Sequence, residues 1–176
     1  MTKVIAIANQ KGGVGKTTTT VNLCAAFAAI QSTVLLVDMD PQGSATVGSG
    51  VDKEQISASI NELLLNECTF DEAKVSTQWG YDVLPANSNL TEAEVALLDS
   101  SAKQSTLKHI LESQAQHYDY VFIDSPPSLN MLTLNGLVAA QSVLVPIQCE
   151  YFALEGLSSL LDSIEQIRQS VNPALK

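Results

Sequence analysis

The stretch Val4-Ile-Ala-Ile-Ala8, followed by Asn9-Gln-Lys-Gly-Gly-Val-Gly-Lys-Thr-Thr18, decides the fold of this chain. The first five residues are a short apolar run of the kind that forms a buried strand. A glycine-rich loop follows it, and residues 17–30 are compatible with a helix. A strand, a glycine-rich loop and a helix in this order are the context that a phosphate-binding loop needs.

The residues of this loop suit the binding of phosphate. Its glycines allow a tight turn whose backbone N–H groups approach an anion, and the following helix adds unpaired donors and a positive dipole end. Lys16 is expected to place its ammonium on the β- and γ-phosphates, and Thr17 its hydroxyl on a magnesium ion. The predicted nucleotide-binding residues are Lys11, Gly12, Gly13, Val14, Gly15, Lys16, Thr17 and Thr18.

The loop departs from the usual P-loop pattern at its start. The position that normally holds the first glycine is Gln10, and a second lysine, Lys11, stands at the loop entrance. An incidental glycine-rich turn is the alternative, but the flanking strand and helix favour a phosphate-binding loop.

With its second lysine, the loop resembles that of the ParA/MinD family of ATPases, and most closely its ParA/Soj branch. Three later segments extend the resemblance: Val34-Leu-Leu-Val-Asp-Met-Asp-Pro-Gln-Gly43, Tyr120-Val-Phe-Ile-Asp-Ser-Pro-Pro-Ser128 and Val145-Pro-Ile-Gln-Cys-Glu-Tyr-Phe-Ala-Leu-Glu-Gly156. The middle of the chain, about residues 50–115, is the least specific part. The resemblance implies that Lys11 is the family's signature lysine, which reaches across a dimer interface to the partner's nucleotide.

Short apolar runs alternate with helical stretches along the rest of the chain. Repeated βα units predict an α/β fold with a doubly wound, mostly parallel sheet in one domain, residues 1–176. The predicted strands are residues 3–8, 33–38, 75–78, 81–84, 119–124 and 143–148. The predicted helices are residues 17–30, 56–66, 91–98, 103–116 and 153–170, the third opened by a capping box at Thr91-Glu-Ala-Glu94, and residues 39–50 are predicted as a loop.

Three aspartates stand at predicted strand ends, where an open α/β sheet binds its ligand. Asp124 is placed like a Walker B aspartate that orients magnesium, often through water. The resemblance implies that Asp40 positions the attacking water, which makes it a catalytic residue beside Lys11 and Lys16; a turn cap is the alternative. Asp38 either touches the magnesium shell or holds the loop, and the sequence leaves both open.

The segments after the last two strands supply candidates for a switch or a dimer contact. Pro126 and Pro127 make a rigid exit from their strand, and the resemblance implies that this region senses the γ-phosphate; an ordinary strand terminator is the alternative. Glu150 resembles a family position near the nucleotide and the dimer interface, and a solvated loop glutamate fits it equally well.

The composition argues against several classes of function. The chain has 176 residues, a net charge of −10 and a single arginine, a poor match to the clustered Lys and Arg of a DNA-binding surface. No apolar run approaches a membrane span, and no signal peptide is visible. The cysteines have neither a C-x-x-C nor a zinc spacing, which favours a reducing, cytoplasmic setting.

The resulting hypothesis is a magnesium-dependent ATPase switch in plasmid or chromosome partition. ATP would close a homodimer, and a ParB-like partner would raise a slow hydrolysis. The family usually continues beyond the equivalent of Lys176, so we expect the chain to lack further strands, adenine contacts and much of a DNA-binding surface, and to bind DNA weakly or not at all. Two alternatives are a nucleotide-binding module that no longer cycles, and a MinD-like membrane-cycling ATPase, which the acidic last helix disfavours.

Overall fold

A six-stranded sheet runs through the residues that the computed structural model describes, 2–99, 104–149 and 153–176. Across the sheet the strands lie in the order β3-β4-β2-β5-β1-β6, and neighbouring strands are parallel except β3 with β4. The predicted α/β fold with a mostly parallel, doubly wound sheet is therefore confirmed. The strands are β1 (Lys3–Ile7), β2 (Val34–Asp38), β3 (Val75–Ser76), β4 (Asp82–Leu84), β5 (Tyr120–Asp124) and β6 (Ser142–Leu144).

Helices cover both faces of this sheet. Successive side chains of a strand point to opposite faces, so Phe122 of β5 packs with Phe27 of the first helix, at 5.6 Å between ring centres, while Val121 and Ile123 enter the larger core on the other face. Among the described helices, none has both the length and the apolar character of a membrane span. The helices are α1 (Lys16–Ala29), α2 (Ser44–Gly48), α3 (Ile60–Leu64), α4 (Phe70–Ala73), α5 (Leu90–Asp99), α6 (Thr106–Gln114), α7 (Met131–Ala139) and α8 (Ala153–Ser170).

Three helices occupy segments for which the sequence predicted none. The helix α7 fills the connection from β5 to β6, and seven of its nine residues are buried. It therefore lacks the polar face whose 3.6-residue period marks a surface helix. The helix α2, inside the predicted loop 39–50, has five residues, and α4 has four. Both are too short for a periodic signal.

Some predicted boundaries were too wide. The helix α3 begins at Ile60 instead of residue 56, and β6 ends at Leu144 instead of residue 148. After Leu144 the chain leaves the sheet, and the carbonyl of Pro146 accepts a hydrogen bond from the Asn9 side chain.

The predicted capping box at Thr91 is wrong. Thr91 lies inside α5, and its hydroxyl donates to the carbonyl of Ser88 at 2.9 Å. Two capping boxes of the described residues stand instead at the starts of α3 and α4, where they satisfy backbone N–H groups that a helix start leaves unpaired. Their pairs are Ser59 with Glu62 and Thr69 with Glu72.

The carboxyl ends of β1, β2 and β5 meet at one edge of the sheet. In the strand register, Asp124 lies opposite Ile7 on one side and opposite Asp38 on the other. The glycine-rich loop leaves β1 at this edge and leads into α1. The fold thereby brings the predicted phosphate loop and the strand-end aspartates together, as parallel α/β sheets do at ligand sites.

Candidate nucleotide-binding site

The glycine-rich loop presents an open backbone surface. Gly13 and Gly15 have φ values of 73° and 92°, in the left-handed region that a residue with a Cβ adopts only with strain. A Cβ built on Gly12, Gly13 or Gly15 would meet no described atom within 4 Å. The space beside the loop is therefore open to a ligand, and glycine is required there by the backbone path at the two left-handed positions.

Lys16, the first residue of α1, turns its side chain back towards the loop. Its Nζ donates to the carbonyl of Lys11 at 3.1 Å, and the residue is only 7% exposed. Burial lowers the pKa of Lys16, while the negative charges of Asp124 and Asp40 oppose that lowering. Since electrostatic attraction strengthens where water is excluded, this ammonium is well placed to bind an anion.

Asp124 lies beside the start of α1 and joins it through two hydroxyl groups. Thr17 Oγ1 donates to Oδ2 at 2.7 Å, and Thr20 Oγ1 donates to Oδ1 at 2.9 Å. Burial raises the pKa of Asp124 to about 6, although both hydroxyl bonds favour the charged form. The two predicted magnesium ligands, Thr17 and Asp124, are thus in direct contact. Sequence reasoning missed Thr20, although its spacing of three from Thr17 puts both residues on one helix face.

Asp38 is fully buried, and both of its carboxylate oxygens accept hydrogen bonds. Oδ2 accepts from the Thr46 amide at 2.8 Å and from Thr46 Oγ1 at 2.7 Å, while Oδ1 accepts from the Asp40 amide at 3.1 Å. Burial, followed by the charge of Asp124, raises the pKa of Asp38 to about 7. Of the two interpretations that the sequence left open, these bonds favour the one in which Asp38 holds the loop.

Asp40 stands in the turn between β2 and α2. Its Oδ1 accepts from the Gln42 amide at 2.9 Å, and its carbonyl accepts from the Gly43 amide at 2.8 Å. Such a turn closed by an aspartate side chain leaves the other carboxylate oxygen available. The charge of Asp40 acts on both Lys16 and Asp124, so its carboxylate belongs to the same site.

The segment that follows β6 braces the glycine-rich loop. The buried Asn9 accepts from the Lys11 amide at 3.0 Å and donates to the carbonyl of Pro146 at 2.8 Å. Gln148 Nε2 donates to the carbonyl of Gly13 at 3.1 Å. The sequence analysis did not identify Asn9 and Gln148 as site residues. The spacing of two between Asn9 and Lys11 is typical of an asparagine that closes its own turn, whereas no local pattern marks Gln148.

The remaining candidates are only partly within the described structure. Pro126 is buried and Pro127 is exposed at the exit from β5, and their part in sensing the γ-phosphate stays a prediction. Glu150 lies outside the described residues.

These features define a P-loop nucleoside triphosphate-binding protein, with a lysine and a hydroxyl–carboxylate pair at the start of α1. The family described as AAA domain matches residues 2–176. The chain is 50% identical over 175 residues to chromosome partitioning protein ParA of Myxococcus xanthus, covering 99% of this chain and 62% of the relative. It is 48% identical over 176 residues to sporulation initiation inhibitor protein Soj of Bacillus subtilis, covering 99% of this chain and 70% of the relative.

The chain belongs to the ParA/Soj family of partition ATPases, within the AAA domain family. The resemblance that the sequence motifs indicated is thereby confirmed. The chain spans 62% and 70% of the lengths of these two relatives, or about two thirds.

Solved structures share the fold of this chain, and one of them carries the name of a different enzyme. The structure of cobyrinic acid a,c-diamide synthase from Mycobacterium smegmatis with bound ATP analog and magnesium matches with a TM-score of 0.97 and 45% identity, covering 100% of this chain and 72% of that one. The nucleotide and the ion bound by this similar protein are the pair that the sequence analysis expected, ATP and Mg²⁺.

Proposed function

We propose that the chain is the nucleotide-binding part of a magnesium- and ATP-dependent dimerisation switch that hydrolyses ATP slowly during plasmid or chromosome partition. The observation that carries this proposal is the contact between Thr17 and Asp124, 2.7 Å apart, beside the buried ammonium of Lys16. Magnesium and the phosphates of a nucleotide require a hydroxyl, a carboxylate and a lysine. These three groups lie together beside the start of α1.

The loop backbone and Lys16 would hold the phosphates. Backbone N–H groups of the loop and of the first turn of α1 would donate to the phosphate oxygens, and the helix dipole would add partial positive charge there. Lys16 would exchange its bond with the carbonyl of Lys11 for the β- and γ-phosphate oxygens. That exchange replaces a neutral acceptor with a charged one, and charge-assisted hydrogen bonds are roughly twice as strong as neutral ones.

The donor set at this edge fits a magnesium ion. The described residues hold no group of three or more His, Cys, Asp or Glu side chains arranged for a metal, so a cation would depend on one or two protein groups and on substrate phosphates, as magnesium commonly does. Thr17 and Asp124 supply those protein groups. Bound magnesium neutralises the charge that develops on the β- and γ-phosphate oxygens during transfer.

Hydrolysis would be a matter of positioning and of charge stabilisation. Asp40 would accept a hydrogen bond from the attacking water and aim its oxygen at the γ-phosphorus. The new P–O bond would form as the bond to the oxygen of ADP breaks, and one proton of the water would pass to the released phosphate. Lys16 would stabilise the charge that builds up on the leaving oxygen. Lys11 would act in trans, on the nucleotide of the second subunit of a homodimer.

We infer the partners and the cellular location of this chain from its family. A ParB-like protein would raise the hydrolysis rate in the bacterial cytoplasm, and non-specific DNA would be bound mainly by parts of the longer family members that this chain does not include. Its net charge of −10 supports a minor role for residues 1–176 in holding DNA.

Phosphate release from ATP and magnesium by the purified chain tests the proposal. We expect slow turnover, and Lys16→Ala should weaken ATP binding by at least about tenfold, since a hydrogen bond to a charged group is worth about 1.5–3 kcal/mol. Lys3→Ala, at the opposite end of β1, is the matched control. Unchanged affinity in Lys16→Ala would contradict the P-loop assignment. Nucleotide binding without phosphate release would favour a module that no longer cycles.

A further inference from the structure

We propose that Thr46 is a positioning residue for hydrolysis. Its hydroxyl fixes the orientation of the Asp38 carboxylate and thereby the conformation of the turn that carries Asp40. This inference rests on the proposed function, because it assigns Thr46 a part in placing the group that would orient the attacking water. Thr46 would act through Asp38, to which its hydroxyl donates.

The Thr46 hydroxyl sits between two elements and bonds to both. It donates to Asp38 Oδ2 at 2.7 Å, and it accepts from the Ala86 amide, just beyond β4, at 2.9 Å. Thr46, Asp38 and Ala86 are all 0% exposed. Since water has no access there, loss of the hydroxyl would leave the Ala86 amide without an acceptor, and Asp38 Oδ2 would keep only its bond from the Thr46 amide.

The carbonyl oxygen of Ala86 lies close to the backbone at the start of α2. A Cβ on Gly43, the residue before α2, would lie 2.5 Å from the Ala86 oxygen, and Gly43 has a φ of 64°. The backbone before α2 therefore packs directly against the Ala86 carbonyl. The helix α2 thus meets the segment after β4 at two points, the close approach at Gly43 and the hydroxyl of Thr46.

The Asp38 carboxylate connects Thr46 to the turn that carries Asp40. While Oδ2 is held by Thr46, Oδ1 accepts from the Asp40 amide at 3.1 Å. A rotation of the carboxylate that compensated for a lost hydroxyl would thus alter the bond at the base of the Asp40 turn. A displacement of about 1 Å at a reacting centre can cost about 100-fold in rate, so a small movement here suffices to slow hydrolysis.

Two matched pairs of side chains at position 46 test the effect of the hydroxyl group by itself. Thr46→Val replaces it with a methyl group of similar size, and Thr46→Ala differs from Thr46→Ser by one oxygen atom. We expect kcat to fall about 10–100-fold in the Val and Ala variants, with KM for ATP within about twofold, because a misplaced Asp40 affects the transition state rather than ground-state binding. Thr46→Ser should retain most of the parental kcat.

Ser49→Ala is the control for a purely structural loss. Ser49 is buried at the end of α2, and its hydroxyl bonds to the Ala45 carbonyl and to Tyr81 instead of to Asp38. We expect this variant to lower the melting temperature and to keep the parental kcat. Melting curves of every variant show which are folded, and if Thr46→Val fails to fold, the Ala and Ser pair decides.

Three outcomes would overturn the inference. The first is a parental kcat in folded Thr46→Val or Thr46→Ala; the second is an equal loss in Thr46→Ser, which would show that the methyl group matters instead. The third is a joint fall of kcat and ATP affinity that Ser49→Ala reproduces. In each of these the parental chain still binds and hydrolyses ATP, so the proposed function stands. A parental chain that fails to hydrolyse ATP would overturn both.

Discussion

Thr17 donates its hydroxyl to Asp124 at 2.7 Å, and the two residues are 107 positions apart in the sequence. The contact joins the first turn of α1 to the end of β5, directly beside Lys16. The hydroxyl satisfies an oxygen of the buried Asp124 carboxylate. We propose that the same two groups hold a magnesium ion that arrives with the nucleotide.

We expect Thr17→Val to remove most of the magnesium dependence of ATP binding, because the side chain loses its only oxygen. Affinity for ATP with magnesium should fall by about tenfold or more, the loss of a bond to a charged partner. Thr17→Ser keeps the hydroxyl and is the matched control. Titrations with and without magnesium measure the effect, and an equal magnesium dependence in Thr17→Val and the parental chain would contradict the assignment.

Lys11→Ala should separate nucleotide binding from assembly. One subunit should still hold ATP through Lys16, whereas dimerisation and hydrolysis should fall together, since cationic groups that act in trans contribute about 10³–10⁵ in rate. Light scattering with ATP, beside a binding titration at low protein concentration, measures both. Weaker nucleotide binding by the monomer would place Lys11 in its own site.

Asp40→Ala should bind ATP with parental affinity and release no phosphate, because the proposed role of the carboxylate is realised in the transition state. ATP should then persist in a long-lived complex. Asp52→Ala, in the exposed loop after α2, controls for the loss of a nearby negative charge. Phosphate release at the parental rate would show that Asp40 only caps its turn.

Asp38 should make stability depend on pH. Its pKa in the folded chain is about 7, whereas an unfolded aspartate has a pKa of about 3.9. Between these values the folded state keeps a proton that the unfolded state has lost, so this group's contribution to the free energy of unfolding declines as the pH rises from about 4 to about 7.

The comparison of the parental chain with Asp38→Asn isolates this contribution. The difference between their unfolding free energies should change with pH by up to about 1.4 kcal/mol per pH unit, the value for one proton. Asp71→Asn, at an exposed carboxylate, should follow the parental curve. Denaturant melts at several pH values provide the measurement, and parallel curves for the parental chain and Asp38→Asn would refute the prediction.

DNA binding by residues 1–176 should be weak even with ATP and magnesium. Nine basic residues face nineteen acidic ones, and Lys74 is engaged by Asp71 at 3.0 Å. Since affinity grows with each phosphate neutralised, we expect a dissociation constant weaker than about 1 µM at physiological salt. Anisotropy titrations on duplex DNA at two salt concentrations decide this; tighter binding with a steep salt dependence would reveal a basic face in this part of the chain.

The local sequence was sufficient to predict the class of protein and to select the candidate residues of the site. The glycine-rich loop, Lys16 and Thr17 act through neighbours a few residues away, so their pattern is visible in a short window. The strand-end positions of Asp38 and Asp124 followed from short apolar runs, because the carboxyl ends of parallel strands lie along one edge of a sheet.

Only the tertiary structure decided what these groups contact. The bonds of Thr20 to Asp124, of Thr46 to Ala86, and of Gln148 to Gly13 join elements far apart in sequence, and such pairings depend on the order of the strands. The helix α7 escaped prediction for a related reason: surrounded by other elements, it is apolar on nearly every side and shows no amphipathic period. Periodicity reports which face of an element meets water, whereas a buried hydrogen bond depends on which elements the fold brings together.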